Sequence, residues 1–330
     1  MTKPNWSLLA ALRFALALIV AGAHTTSFTL NSISMGFDSL GAKAAVVGFL
    51  LVSGFSIAAS LDRDKKQFYF RRFKRIYPVY FFSVLAAIAL ELWLGTIQLP
   101  HLLLESNGAV AAIGNLLLLQ TFLVKPIAFN GLVWSLAVEV SFYIAAPFLR
   151  PERIWFWLSL IAISGAYYIL PKNDANHLYT LALKLNAVRY FWPFGMGFVL
   201  YHYRSALLAF TFGVVGTTLV WLCVDNDQAF APMTFIASFG VLLIARAGAF
   251  SSSSPLDYLG DLSYPLYLVQ IPVYILAFKL GGITNPLVLL ALAILAACVT
   301  FEIVDRRLKA LLFSKALNKA HGALNAAKPL

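Results

Sequence analysis

Residues 12–24 read Leu12-Arg13-Phe14-Ala15-Leu16-Ala17-Leu18-Ile19-Val20-Ala21-Gly22-Ala23-His24. The stretch is apolar except for a cation near its start and an imidazole at its end. On an α-helix the step from Arg13 to His24 is about 1100° of rotation, which leaves both side chains within roughly 20° of one face and about 16 Å apart along the axis. An unpaired charge in hydrocarbon costs about 2.5 kcal/mol or more, so an intramembrane Arg13 needs a partner, a wet cavity or a route to the surface. The spacing predicts one polar seam through most of a membrane.

Composition points the same way. Of 330 residues, 61% are hydrophobic and 12% charged, and the mean hydropathy is +0.80. A soluble chain of this length has no way to hide so much apolar surface, so the class is an all-α polytopic membrane protein in the lipid bilayer. Tyr and Trp flank many apolar runs, as interfacial belts do. The net charge of +11 reports orientation in the membrane rather than nucleic-acid binding. Cys223 and Cys298 lie in apolar runs, and neither a disulfide nor a metal site is expected. The first apolar run blends into a full span without a convincing cleavage site, so no signal peptide is expected.

Windows of about 20 residues give ten transmembrane helices: 7–28, 40–61, 76–95, 131–149, 153–170, 188–203, 206–224, 229–246, 262–280 and 285–304. With ten spans and a cytoplasmic N-terminus, eighteen of the 25 Lys and Arg residues fall on inner segments and six on outer ones. An eleventh span at 108–124 would reverse everything downstream and put the basic tail outside. The positive-inside bias therefore favours ten spans with N- and C-termini cytoplasmic. Segment 97–130 then becomes an outer loop with an embedded helix. Residues 1–306 form the transmembrane domain, and 307–330 a short basic cytoplasmic tail. The outer loop 171–187, with His177, and the inner linker Ser251–Ser254 complete the layout.

Each polar residue has a plain structural reading beside a chemical one. Arg13 is either a snorkelling anchor or part of a binding seam. His24 is either an interhelical hydrogen bond or a catalytic group. Ser53 with Gly54 fits close helix packing. Arg71-Arg72-Phe73-Lys74-Arg75 is a basic cluster at the inner surface, suited to lipid headgroups or to a phosphorylated ligand, with Arg72 and Arg75 on one helical face. Glu139 lies about 12 Å below the start of its span, comparable in depth with His24; it either bonds within the bundle or binds a transported ion, or it pairs with His24. Ser135 shares its face at four-residue spacing. Arg189 opens the sixth span, either holding an acceptor or anchoring the helix. Ser263, Tyr267, Gln270 and Tyr274 form a stripe, either interhelical bonds or a pocket wall.

Five separated stretches together resemble one family, the multispanning acyltransferases of type three, which O-acylate cell-surface sugars and related molecules. They are Arg13 with His24, Phe49 to Gly54, Arg72-x-x-Arg75 with Ile76 and Pro78, Trp134-Ser135-Leu-x-Val-Glu139-x-x-Phe-Tyr with Pro147, and Gly260-x-x-Ser263-Tyr264-x-Leu-Tyr267-Leu. The resemblance implies a bacterial inner-membrane O-acyltransferase with no bound cofactor. Its donor is acyl-CoA, usually acetyl-CoA, and its acceptor a cell-envelope glycan or lipid-linked sugar. It implies His24 as the essential catalytic residue, supported by Glu139, and Arg13, Arg72 and Arg75 as donor-side cations. Ser53, Trp134, Ser135, Arg189, Ser263, Tyr264, Tyr267 and Gln270 are the expected pocket. Gln270 stands where many members carry a His, Leu50 interrupts a usual Phe-Phe, and Val140-Ser141 replace a polar pair. The rival is a transporter or flippase for a glycan or anion, lined by Arg13, Glu139 and Arg189. Carriers often show internal repeats, and the two halves of this chain show no obvious similarity. A homo-oligomer stays open as a further partner.

Overall fold

The computed structural model describes residues 3–149, 152–170, 185–223, 228–248 and 253–312. His177 and most of the expected tail, linker and 171–187 loop lie outside the described residues. The first helix, α1 (Trp6–Ala23), is capped by the Asn5 side chain, which accepts from the Leu8 N–H at 3.0 Å, and runs on as a 3₁₀ turn, His24–Ser27. After a short α2 (Ser32–Ser39) come α3 (Ala42–Arg63) and α4 (Phe68–Leu94). The basic cluster expected in a loop before residue 76 is therefore helical, and its side chains have fixed directions.

Segment 97–130 holds more than one embedded helix. A hairpin of β1 (Thr96–Leu99) and β2 (Leu102–Glu105) precedes α5 (Gly108–Leu116). Then follow α6 (Val133–Ala145), α7 (Ile154–Ile169), the single turn α8 (Asn186–Arg189), α9 (Phe191–His202), α10 (Ala206–Leu222) and α11 (Ala231–Arg246). The chain closes with α12 (Ser254–Gly281) and α13 (Pro286–Thr300), which continues in π-helical form over Phe301–Leu308.

All ten expected apolar segments fall on helices, but their lengths differ. Among the described residues five helices are long and apolar enough to cross a membrane: Trp6–Ser27, Ala42–Arg63, Phe68–Leu94, Ser254–Gly281 and Pro286–Leu312. Four apolar helices are shorter: Val133–Phe148, Ile154–Ile169, Ala206–Leu222 and Ala231–Arg246. The twelve residues of α9 rise about 18 Å, well short of a hydrocarbon core of about 30 Å.

The centre is built from α1, α3, α9 and α12, with α1 packed along α12 and α3 along α9. Trp192 to Leu200 of α9 are buried without interruption. Two glycines let α3 and α9 approach backbone to backbone. A Cβ on Gly54 would collide with the Phe194 carbonyl, and one on Gly197 with the Leu51 carbonyl. Pro272 inside α12 has no N–H, which deprives the Leu268 carbonyl of its helical partner. Ser83 Oγ donates to that oxygen at 2.8 Å and Asn130 Nδ2 at 2.9 Å, and Asn130 Nδ2 also donates to Ser83 Oγ at 2.8 Å. A prolyl defect in one helix thus ties α4 and the approach to α6 onto α12.

Candidate active site

Two cavities adjoin at the centre of the bundle. The first is narrow, about 100 Å³, and brings together Arg13 of α1, Ser53 and Ser56 of α3, Arg72 and Arg75 of α4, Ser135, Glu139 and Tyr143 of α6, and Ser263, Tyr264 and Tyr267 of α12. Nine of these eleven residues are ones the sequence singled out; Ser56 and Tyr143 were not among them.

The geometry sorts the basic cluster. Arg71 turns away, pairing with Asp64 at 2.6 Å and donating to the Ser60 carbonyl at 3.2 Å. There the Lys66 backbone N–H, with Arg71, holds the Asp64 carboxyl below its ordinary range. Arg72 turns inward, with its guanidinium 5.6 Å from the Phe68 ring centre and 5.8 Å from that of Tyr143. The Nε atoms of Arg13 and Arg72 and the Ser56 hydroxyl are buried without hydrogen-bond partners. Buried donors are almost always satisfied, so three orphan polar groups in one cavity mark a place for an acceptor-rich ligand.

The Tyr143 hydroxyl donates to Glu139 Oε1 at 2.5 Å. That uses the only proton on Tyr143, so the Ser53 hydroxyl, 3.0 Å away, donates to Tyr143 Oη. The result is a directed relay, Ser53 to Tyr143 to Glu139, beside the arginines. Tyr143 was legible only as the residue one turn beyond Glu139. Tyr264 donates to the Ile76 carbonyl at 2.8 Å and Ser263 to the Gly260 carbonyl at 2.6 Å, so both fix the wall.

The second cavity is roomier, about 570 Å³, and contains His24. His24 Nδ1 lies 2.6 Å from the Val20 carbonyl. An oxygen acceptor at that distance assigns the proton to Nδ1, which leaves the Nε2 lone pair free. The expected partnership of Glu139 with His24 is not what the structure assembles. Glu139 lines the arginine cavity and bonds Tyr143, and a backbone carbonyl orients the imidazole instead. Trp134 joins His24, its ring centre 5.0 Å from that of Tyr190. Asn107, Asn186 and Gln228 add amides, and Lys43 and Lys125 add cations. These five residues carried no distinguishing pattern, and three of them, Asn107, Lys125 and Gln228, lie in loops whose path the sequence did not reveal.

Val46 and Tyr267 line both cavities and so form the partition between them. The Tyr267 hydroxyl lies 2.7 Å from Ser135 Oγ and 3.3 Å from the Leu132 carbonyl, and its ring meets Phe49 edge-on at 5.7 Å. The seam is therefore two chambers with a tyrosine between them rather than one open slot.

Two expected pocket residues line neither cavity. Arg189 donates to the Tyr168 carbonyl at 3.1 Å and to the Leu170 carbonyl at 2.5 Å, capping the end of α7. Its neighbour Tyr190 reaches the histidine cavity in its place. Gln270 is fully buried and donates to the Tyr267 carbonyl at 3.0 Å.

The fold is a helical bundle with membrane-length helices, in which a cationic chamber adjoins a chamber that holds a histidine. Residues 8–304 match the family described as "Acyltransferase domain", and the chain belongs to that type-three acyltransferase family. It is similar to Nodulation protein 10 of Rhizobium leguminosarum bv. viciae, at 25% identity over 75% of this chain and 76% of that protein. It is also similar to Acyltransferase MdmB of Streptomyces mycarofaciens, at 31% identity over 47% of this chain and 43% of that one. Peptidoglycan O-acetyltransferase OatA of Listeria monocytogenes is 26% identical over 80% of this chain and 50% of its own length. The chain thus spans about three quarters of the first relative and half or less of the other two. No solved structure matches it significantly.

Proposed function

We propose that this acyltransferase moves an acyl group, most simply acetyl, from cytoplasmic acyl-CoA to a hydroxyl of a cell-envelope sugar. Family membership and the O-acetyltransferase relatives support the reaction class. The observation that carries the assignment of the site is the pair of unpartnered guanidinium N–H groups, on Arg13 and Arg72, in the chamber next to His24. Phosphate oxygens are the acceptors such donors prefer. Arg75, exposed on the same face of α4, extends the cationic surface outward.

In this reading ten helical segments cross a bacterial plasma membrane, α8 and α9 counting together as one, with both termini in the cytoplasm and the arginine chamber towards that side. The phosphates rest on the arginines while the thioester arm reaches past Val46 and Tyr267. His24 Nε2 takes the proton from the acceptor hydroxyl as its oxygen bonds to the acyl carbon. The carbon–sulfur bond breaks, and the imidazolium returns its proton to the departing CoA thiolate. Val20, holding Nδ1–H, keeps the base in the right tautomer. The relay through Tyr143 anchors Glu139 as a fixed negative charge near Arg13 and Arg72. It offsets the repulsion that each of them meets from Arg75.

The test is His24→Ala in purified protein supplied with acetyl-CoA and an envelope-sugar fraction. Transfer falls by at least about a hundredfold, the range of a lost general base, while membrane insertion and thermal stability hold. Wild-type turnover in that variant sinks the assignment. Labelled acyl retained on the protein in a single turnover would replace direct transfer with an acyl-histidine route.

A further inference from the structure

Two helices measure the distance between the arginine chamber and the base. On α1, Arg13 and His24 are eleven residues apart, a rise of about 16 Å. On α3, the chamber lining runs from Ser56 to Val46 on the partition, a rise of about 15 Å. Arg13 and Ser56, each with a buried donor that has no partner, therefore stand at the far end from the partition. A phosphate that heads a pantetheine arm is joined to the sulfur by about thirteen bonds, and at about 1.2 Å of extension each they span about 16 Å. The arm by itself bridges the buried arginines and the imidazole.

The chamber has little room for more of the donor. Its volume is about 100 Å³, below the roughly 300–1,000 Å³ of pockets that enclose a drug-sized group such as a nucleotide. Its rings are engaged within the protein: Phe49 meets Tyr267, and Tyr143 faces the Arg72 guanidinium. Guanidinium N–H groups match phosphate oxygens closely, and the unpartnered donors of Arg13, Arg72 and Ser56 are enough for a single phosphate.

We propose that the chamber reads the one phosphate at the head of the pantetheine arm and nothing beyond it, so the donor class is acyl thioesters of 4′-phosphopantetheine, of which acyl-CoA is one. The inference rests on the reading of this chamber as the donor's. The nucleotide of CoA stays outside, on the side of the exposed Arg75. The bonds exchanged are the same for every such donor: carbon–sulfur breaks, carbon–oxygen forms, and the thiolate receives the acceptor's proton.

The test compares acetyl thioesters of CoA, dephospho-CoA, 4′-phosphopantetheine and pantetheine, using the purified full chain and an envelope-sugar fraction. Values of kcat/KM for the first three agree within about tenfold, while that for pantetheine falls by at least about a hundredfold, the loss of two charge-assisted hydrogen bonds. A 4′-phosphopantetheine value closer to that of pantetheine than to that of CoA overturns the proposal, and so does a pantetheine value equal to the others. The span is tested with the acetyl thioester of 4′-phosphopantoyl-cysteamine, which keeps the phosphate but lacks the β-alanine unit and is about 5 Å shorter. Transfer from it drops by at least about a hundredfold, because the reacting carbon is out of place; undiminished transfer overturns the proposal.

Arg13→Gln and Arg72→Gln each cut the preference for 4′-phosphopantetheine over pantetheine by at least about tenfold. The ratio is read within each variant, so a general loss of activity cancels. A ratio unchanged in both variants overturns the proposal, and the wild-type series decides alone should neither variant fold. A chain that uses none of the thioesters refutes the acyltransferase reading of the chamber, whereas one that uses acetyl-CoA but ranks the others differently refutes this inference alone.

Discussion

At the scale of single residues, a carbonyl does the work expected of a carboxylate. Reading rise along separate helices put Glu139 and His24 at one depth. Depth says nothing of azimuth, and the two side chains face different chambers. The local signal was nearer: residue 20 is one turn before residue 24, where a ring nitrogen can reach a backbone oxygen bending out of the helix. Arg189 carries a similar lesson. Its position at a helix start looked like an acceptor site, yet its donors cap the carbonyls closing α7. Arg189→Gln therefore leaves those carbonyls and part of a buried cavity unsatisfied, at a cost of about 2 kcal/mol. A thermal melt in detergent should show the loss, while transfer per folded molecule stays near wild type. A variant with normal stability and lost transfer would return Arg189 to the site.

Among the elements, the α3–α9 contact is the most constrained. Neither Gly54 nor Gly197 has room for a methyl group. Gly54→Ala must push two buried helices apart, costing about 3 kcal/mol, read as a drop in melting temperature. A melt unchanged from wild type would mean the helices are not in backbone contact. Small residues at 53 and 54 announced close packing in the sequence, but the partner did not. A helix buried on every side reads like a span, so α9 was legible as apolar and not as internal. The hairpin at 96–105 was hidden because its Leu-rich strands look like any apolar run. Tyr267 belongs here too, because three segments hold it. Tyr267→Phe removes the hydroxyl that bonds Ser135 and Leu132. Water should then pass more freely between chambers, and acceptor-independent acetyl-CoA hydrolysis should rise several-fold relative to transfer. An unchanged ratio of free CoA to acylated product would remove Tyr267 from the partition.

For the whole molecule, the ten apolar segments were legible because hydrocarbon demands continuous apolar helix. Their meaning varies: among the described residues five helices reach spanning length, four apolar ones are shorter, and α9 is shorter still. Large apolar side chains on the exterior, such as Leu92, Phe148 and Trp155, suit contact with lipid tails. The proposed orientation of the bundle rests on the basic bias. Alkaline phosphatase joined after residue 312 should be inactive in intact cells, and the same enzyme joined after Glu105 should be active. The opposite pattern would invert the protein and put the arginine chamber on the wrong side for a cytoplasmic thioester.

The carbonyl stranded by Pro272 has a consequence for how the two chambers communicate. Leu268 is bolted from behind by Ser83 and Asn130, and Tyr267 is the very next residue. Its backbone has no freedom to slide along the bundle during a catalytic cycle. In the proposed transfer, the phenol's own side-chain bonds are then where an opening between the chambers would arise, with the scaffold left in place.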